Sequence, residues 1–275
     1  DVRDLHLQTI LNTQAGMSYS HVSKLRMVMQ ELFRQARRSR LIIYDPAEGL
    51  LLPESVKRSH RPITKAERRH ILAVAQTHPA GLWVLTILYT GLRPGETAAL
   101  FWEDIDFDRN EIHVYKAVES GTRTIKAPKT PAGIRDIPMR QELRERLLAV
   151  RGEGTAPVFP SANGGIRSAN SLRRLWNSFA HALDLHMGAK VRDGQILQHA
   201  IAPDLTPYCL RHTFCTDLQR AGVPINVAKE LMGHANISVT ANIYTHRDQK
   251  VLHNNMAKLN PKGRRAVGKT QEKTV

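Results

Sequence analysis

Apolar residues recur every three or four positions near the start of the chain, which is the pattern of an amphipathic helix. We predict that residues 1–50 are helical and that Ser20 caps a helix running to Arg40. One stripe of this helix is formed by Val22, Leu25, Met29, Leu32 or Phe33, and Ala36. Its other faces are basic and carry one acid, Glu31, among Lys24, Arg26, Arg34, Arg37, Arg38 and Arg40.

A polar, Pro-bounded segment interrupts the helical pattern and predicts a linker over residues 53–62. The segment separates a predicted helical domain, 1–52, from a larger domain, 63–257. The larger domain begins with Thr64-Lys65-Ala66-Glu67, which fits a helix capping box. The remaining residues, 258–275, form a basic tail. Because the chain begins Asp1-Val2-Arg3-Asp4 without Met, we expect the first domain to be N-terminally truncated.

The middle of the chain alternates apolar and polar positions, as strands do. Three short strands are predicted over 111–118, 122–127 and 134–138, with a turn over 128–133 between the last two. Further helices are predicted over 64–74, 81–90, 170–183, 207–222, 225–232 and 236–245, and an irregular segment over 187–204. The predicted fold is therefore mainly α with a small antiparallel β-sheet, in two domains.

Charge indicates what this protein binds. The 275 residues include 40 Lys or Arg and 25 Asp or Glu, so the net charge is +15 and nucleic acid is the favoured partner. Hydrophobic residues make up 41%, too many for a disordered basic tail. Two cysteines exclude a disulfide framework and a four-cysteine zinc site. The most apolar stretch, 81–92, is too short to span a bilayer, so we expect a cytoplasmic protein.

Standard metal and nucleotide motifs do not occur in the sequence. It contains no HExxH, no phosphate-binding Walker loop and no dinucleotide fingerprint. The thirteen histidines are scattered, and none has a second histidine at metal-binding spacing beside a carboxylate. We therefore expect no metal and no cofactor.

Five motifs remain, and their order is informative. They are TGLRPGE at 90–96, Lys129 in the predicted turn, YCLRHTF at 208–214, LMGH at 231–234 and IY at 243–244. This series resembles the tyrosine recombinase (phage integrase) family. The N-terminal helices are similar to the second half of that family's core-binding domain, so the resemblance covers nearly the whole chain. It is strongest toward integrases of conjugative transposons and related temperate phages.

The resemblance implies how two arginines act. A phosphodiester in its transition state gains negative charge on its non-bridging oxygens. Arg93 and Arg211 would clamp those oxygens with forked donors that keep their charge. Glu96 would orient Arg93 or a neighbouring histidine.

The resemblance also assigns the covalent chemistry. Tyr244 would be the nucleophile, Lys129 the general acid for the departing oxygen, and His234 a hydrogen-bond donor to the phosphate. Tyr208 departs from the family pattern, which has histidine there. A phenol can donate to phosphate but is a poor base, since its ordinary pKa is about 10. The family's histidine is the group that accepts a proton. Here that role is dispensable, is shared with His234 or is taken by water.

By the same resemblance, the partner is double-stranded DNA at recombination sites. A homo-tetramer would form on DNA from a free monomer or weak oligomer, with an excisionase and a host DNA-bending protein as further partners, in the bacterial cytoplasm at the nucleoid. A relaxing enzyme like type IB topoisomerases and a non-catalytic DNA-binding regulator remain alternatives. The predicted DNA-binding residues are Lys24, Arg26, Arg34, Arg37, Arg38, Lys57 and Arg58, although a merely solvated face also fits the first five.

Overall fold

The computed structural model describes residues 2–54, 60–119 and 123–244, without the side chains of Asn242 and Tyr244. The chain divides into two compact units, Asp1–His60 and Arg61–Val275. The division falls inside the segment for which a linker is predicted. Lys57, Arg58 and the tail over 258–275 lie outside the described residues.

The first unit packs two helices, α1 (Asp4–Asn12) and α2 (Tyr19–Arg38), on a small apolar core. The N-cap of α2 is Ser18, whose hydroxyl accepts the backbone N–H of His21 at 3.3 Å. The prediction of Ser20 was therefore wrong, because Ser18 already lies in extended backbone and satisfies the first turn. The core is built from Leu7, Leu11, Val22, Ala47 and Leu50, with Phe33 packed against it and Leu32 exposed.

The second unit is mainly helical. Its helices are α3 (Lys65–Val74), α4 (Gly81–Thr90), α5 (Pro94–Ala98), α6 (Gln141–Ala149), α7 (Ala169–His186), α8 (Pro207–Arg220), α9 (Ile225–Met232) and α10 (Ile237–Tyr244). Short 3₁₀ turns occur at Trp102–Asp104 and Pro131–Gly133. Where a helix was predicted, the observed bounds agree to within three residues. Helices α4, α7, α8 and α9 each end within two residues of a glycine.

Three small antiparallel sheets complete the second unit. The strands are β1 (Ile105–Asp106), β2 (Glu111–Val114), β3 (Ala117–Val118), β4 (Ile125–Lys126), β5 (Arg135–Pro138), β6 (Lys190–Arg192) and β7 (Gln195–Gln198). They pair as β1-β2-β5, β3-β4 and β6-β7. In the first sheet Ile112 faces Ile137, so the apolar positions share one buried face.

Two strand predictions were wrong. The single strand predicted over 111–118 is divided between two sheets, because Lys116 turns inward to the buried carboxylate of Asp104 at 2.9 Å. The segment 187–204, predicted irregular, contains the β6-β7 hairpin. Its turn is Asp193-Gly194, both with positive φ, a dipeptide typical of tight hairpins.

Helix α4 is the centre of the second core. Nine of its ten residues are buried, and it packs against α8 and α6. Because the helix is apolar and enclosed on all sides, it fixes the positions of Gly91 and Arg93 beyond its C-terminal end. Among residues 2–54, 60–119 and 123–244, no helix combines the length and apolar character that a membrane span requires.

The start of the second unit is tied to the segment that leads into α8. The guanidinium of Arg61 donates to both oxygens of Glu67 at 2.7 and 2.8 Å and to those of Asp204 at 2.9 and 3.0 Å. The N–H of Ile63 donates to the hydroxyl of Thr213 at 2.8 Å. These contacts hold the entry of the unit and α8 together.

The predicted capping box of α3 is present and gives a stability test. Thr64 Oγ1 accepts the N–H of Glu67 at 3.1 Å, and the Glu67 carboxylate accepts the N–H of Thr64 at 2.7 Å. We expect Thr64→Ala to lower the free energy of unfolding by about 1 kcal/mol and Thr64→Ser to preserve it. Urea denaturation measures both, and equal stability of the two variants would contradict the cap's contribution.

Candidate active site

An open cleft of about 830 Å³ in the second unit brings predicted residues together. Arg93, Glu96, Lys129 and Tyr208 line it, although they are separated by up to 115 positions in sequence. Apolar side chains, among them Trp83, Leu172 and Trp176, also line it. The cleft therefore presents cationic and phenolic groups beside a low-polarity surface.

The C-terminus of α9 organises the cations of this site. Gly233 ends the helix in the left-handed conformation, with φ of 62°, and the last carbonyls of a helix have no partner within it. Three successive carbonyls here each accept a hydrogen bond from a different arginine. The bonds run from Arg135 Nε to Leu231 O at 2.9 Å, from Arg211 Nη2 to Met232 O, and from Arg93 Nη2 to Gly233 O at 2.9 Å.

Arg211 is held between two helix ends. Its Nη1 donates to the carbonyl of Gly91, the left-handed residue that ends α4, while its Nη2 caps α9. The residue is only 5% exposed. Burial, and then the charge of Arg93, lower the pKa of Arg211 to about 9, so the group still carries its charge at neutral pH. A methyl group at Gly91 would lie 2.5 Å from the Phe214 ring, which explains the glycine.

Glu96 is the anion at the centre of these cations. Its buried carboxylate accepts Arg93 Nη1 at 2.7 Å and Arg135 Nη2 at 2.9 Å, and it also accepts the backbone N–H of Arg93 at 2.8 Å. Burial raises the pKa of Glu96, but the hydrogen bonds and charge of Arg135, with Arg211 and Arg93, outweigh it and lower the pKa to about 2. Glu96 is thus ionised and orients Arg93.

Arg135 is not among the site residues predicted from the sequence. It lies at the start of β5, its side chain is 1% exposed, and it bridges Glu96 and α9. One signal was available: on a strand of period two, Arg135 shares the face of buried Ile137. An arginine on the inward face of a strand requires a buried acceptor.

His234 follows directly after the α9 cap and is buried. Its ring Nδ1 lies 2.9 Å from the hydroxyl of Thr240 on α10, and its backbone N–H donates to the carbonyl of Lys229. Burial, and then the charges of Arg211, Arg93 and Arg135, lower the pKa of His234 to about 4. The imidazole is therefore neutral at physiological pH.

The other predicted residues lie nearer to solvent. Tyr208 is 44% exposed on the first turn of α8, one turn before Arg211. Lys129 is exposed, in the turn that follows β4. Tyr244 is the last residue of α10, which packs against α8 and α9, and its side chain lies outside the described part of the structure.

In the first unit, four of the predicted DNA-binding residues, Lys24, Arg34, Arg37 and Arg38, are exposed on α2. Arg26 is half-buried instead, and its Nη1 lies 3.5 Å from the carbonyl of Leu50. Arg34 pairs with Glu31 at 2.5 Å and Arg37 with Glu48 at 3.8 Å, both in the open. Surface pairs of this kind are weak and can exchange for phosphate.

Within the described ranges, no group of three or more His, Cys, Asp or Glu side chains is arranged to hold a metal ion. The paired histidines His70 and His186, with Nδ1 atoms 3.0 Å apart, have no such third partner in that part of the chain.

Comparison with known proteins places this geometry in a family context. Residues 61–250 match the family model described as the phage integrase family. A "Tyrosine recombinase XerC-like" protein of Caldanaerobacter subterraneus subsp. tengcongensis is 27% identical over 278 aligned positions, covering 94% of this chain and 71% of the relative. The "Transposase from transposon Tn916" of Enterococcus faecalis is 30% identical over 166 positions, covering 59% of this chain and 41% of the relative.

A solved structure supports the fold. The structure of the Tn1549 transposon integrase in complex with a circular intermediate DNA matches with a TM-score of 0.75 at 24% identity, over 94% of this chain and 86% of that chain. At this identity the likeness establishes the fold alone, and it confirms the predicted mainly α architecture with small antiparallel sheets. This chain spans less than half of the Tn916 transposase and about seven-tenths of the XerC-like protein.

The neutral state of His234 is a direct test of the site. We expect its NMR titration to give a pKa of about 4 in the DNA-free protein, because burial and three guanidiniums oppose protonation. Between pH 6.5 and 4 the unfolded chain takes up a proton that the folded chain does not. The free energy of unfolding therefore falls as pH drops through this window, by about 3 kcal/mol in full.

The His234→Gln variant identifies the resonance and removes this contribution. Its free energy of unfolding should depend less on pH between 6.5 and 4 than that of the parent. A measured pKa of 6 or higher for His234 would show that the imidazole is not enclosed as described.

Proposed function

This chain belongs to the phage integrase family, and from that premise we propose that it is a site-specific DNA recombinase that integrates and excises a mobile genetic element. The observation that carries the proposal is the anchoring of Arg93 and Arg211 on one helix end beside a cleft that Lys129 and Tyr208 line. Two fixed guanidiniums in a partly enclosed site are suited to bind the two non-bridging oxygens of one phosphodiester.

Both arginines keep donors for the phosphate. A guanidinium has five N–H groups. The bonds described above use two nitrogens of Arg93, for Glu96 and Gly233, and two of Arg211, for Gly91 and Met232. These bonds leave further N–H groups on each guanidinium, and we propose that these groups bind the phosphate oxygens. Guanidiniums that the protein already holds in place stabilise developing negative charge.

The proposed reaction is a transesterification. The phenolic oxygen of Tyr244 forms a bond to phosphorus, the bond from phosphorus to the 5′ oxygen breaks, and a 3′-phosphotyrosyl link results. Lys129 gives its proton to the leaving 5′ oxygen, and its exposed turn allows it to approach the DNA. The phosphodiester energy stays in the new link, so the reverse attack by a 5′-hydroxyl needs no ATP.

His234 and Tyr208 complete the proposed phosphate site. A neutral imidazole can donate one hydrogen bond while Thr240 holds its other nitrogen. Tyr208, which lines the cleft, donates a hydrogen bond from its hydroxyl to a second oxygen of the phosphate. With Tyr208 replacing histidine, we assign acceptance of the Tyr244 proton to water, because both ring nitrogens of His234 are engaged and its pKa is about 4.

Strand exchange sets the proposed assembly. Recombination of two duplexes cuts four strands, and each chain supplies one Tyr244, so four protomers on DNA are required. Exchange in two steps passes through a Holliday junction. We include an excisionase and a host DNA-bending protein as partners that set direction, and we place the assembly at the bacterial nucleoid.

Two other functions compete on the same scaffold. A type IB topoisomerase-like enzyme would relax DNA with the same covalent step but without joining two duplexes. A non-catalytic regulator would bind DNA without cutting it. The complete set Arg93, Lys129, Arg211, His234 and Tyr244 favours an enzyme, and family membership favours recombination.

Covalent attachment tests the proposed nucleophile. On a nicked suicide duplex carrying the element's end, we expect the parent chain to form an adduct that survives SDS, whereas Tyr244→Phe forms none because it lacks the phenolic oxygen. Denaturing gels of labelled DNA measure this. The matched control is Tyr115→Phe. The Tyr115 hydroxyl donates to Asp104 at 2.6 Å, and the residue does not line the cleft.

An adduct from Tyr244→Phe would reject the nucleophile assignment. Products that join strands of two different labelled duplexes distinguish recombination from relaxation. Binding without any adduct from the parent chain would favour the regulator.

Salt dependence tests the DNA-binding surface proposed on α2. We expect the logarithm of the affinity to fall steeply with the logarithm of salt concentration, because each phosphate contact releases counterions. Lys24→Gln and Arg38→Gln should each reduce the slope by about one. The control is Arg146→Gln, which removes one positive charge from α6 in the second unit. If neither Lys24→Gln nor Arg38→Gln changes the slope, α2 does not bind the DNA.

A further inference from the structure

We infer that Arg135 is a positioning residue of the cleavage reaction, which holds Glu96 and the end of α9 so that Arg93 and His234 stay aligned on the phosphate. The inference rests on the proposed function and adds to it a residue that the five sequence motifs do not contain. Its basis is the number and direction of the contacts that one buried guanidinium makes.

Arg135 joins three separate segments of the site. Two of its nitrogens bind the two oxygens of Glu96, at 2.9 and 3.2 Å. Its Nε binds the carbonyl of Leu231 in α9 at 2.9 Å, and Nη1 also lies 3.2 Å from the carbonyl of Gly133. The last contact reaches the turn over 128–133, which carries Lys129. This turn, α5 and α9 therefore meet at a single side chain.

The alignment of Arg93 depends on the same two partners. Arg93 binds Glu96 through Nη1 and Gly233 through Nη2. Arg135 binds that same carboxylate and, through Leu231, that same helix end. If Arg135 is removed, neither acceptor of Arg93 keeps its fixed position. A displacement of about 1 Å in a catalytic group can lower a rate by about a hundredfold.

Close packing leaves little freedom at this junction. A Cβ placed on Gly233 would lie 2.7 Å from Arg135 Nη1 and 3.1 Å from the carbonyl of Ala132. The turn that leads to His234 therefore lies directly against the Arg135 guanidinium. A shorter or uncharged side chain at 135 would leave a gap under the turn.

The charge of Arg135 also acts on His234. Its guanidinium is one of three that disfavour protonation of this imidazole, while Glu96 favours it. Removing the Arg135 charge takes away one repulsion and also leaves the Glu96 carboxylate less neutralised. Both changes favour the protonated imidazole and raise the pKa of His234. A residue that served only to stabilise the fold would not change the protonation of His234 in molecules that remain folded.

The experiment compares Arg135→Gln, Arg135→Lys and the control Arg146→Gln. Arg146 pairs with Glu142 at 3.6 Å on α6 and does not line the cleft. Three quantities are measured for each full-length chain: the affinity for a nicked suicide duplex, the single-turnover rate of adduct formation at saturating DNA, and the NMR pKa of His234 without DNA.

We expect Arg135→Gln to bind DNA within about threefold of the parent but to form adduct about a hundredfold more slowly. The pKa of His234 should rise by about one unit. Arg135→Lys should keep the parent pKa, since it keeps the charge, yet cleave about tenfold slower, since an ammonium cannot bridge Glu96 and Leu231 as a fork does. Arg146→Gln should match the parent in all three.

Thermal unfolding shows whether Arg135→Gln folds. If it does not, the double variant Glu96→Gln/Arg135→Gln replaces it, because this variant removes both buried charges. Arg135→Lys then tests the geometry. Cleavage within threefold of the parent by any folded Arg135 variant overturns the inference, as does a slow Gln variant with an unchanged His234 pKa. If the parent itself forms no adduct, the proposed function fails, whereas the His234 titration still tests the placement of Arg135.

Discussion

Buried guanidinium groups need acceptors, and in this protein the C-terminal end of α9 supplies them. The carbonyls of Leu231, Met232 and Gly233 each bind a different arginine. The negative end of the α9 dipole adds to the attraction. Without this run of carbonyls, Arg211 would be an uncompensated charge in the core, which costs several kcal/mol. The left-handed glycine that ends α9 therefore determines where the cations of the site can lie.

The rest of the second unit serves this junction. Helix α4 is enclosed by apolar contacts and ends at Gly91, whose carbonyl is the second support of Arg211. Glu96 follows within one turn of α5 and neutralises part of the charge. Helix α10 contributes Thr240 to His234 and also carries the backbone of Tyr244. The packed helices thus hold three cations, one anion and a neutral imidazole in a defined arrangement.

Much of this could be predicted from sequence, since it depends on local patterns. The helices over 81–90 and 225–232 were predicted with the bounds that the structure shows. The ordered motifs named Arg93, Arg211 and His234. Arg135 could not be found in that way, because its partners are 39 and 96 positions distant and no motif links them. The β6-β7 hairpin was missed for a different reason. Its strands are mostly exposed and lack apolar alternation, so only the Asp193-Gly194 turn indicated it. The roles of Lys129, Tyr208 and Tyr244 remain predictions.

The charge imbalance of the site has a consequence for how this protein can evolve. Within the part of the chain that the structure describes, Arg93, Arg135 and Arg211 face one carboxylate, that of Glu96, so this site holds more positive than negative charge in the absence of DNA. Replacing one of these arginines by a well-packed neutral residue relieves repulsion, whereas replacing Glu96 increases it. We therefore expect that a neutral, well-packed substitution at one of these arginines raises thermal stability only by removing a group that the proposed reaction uses.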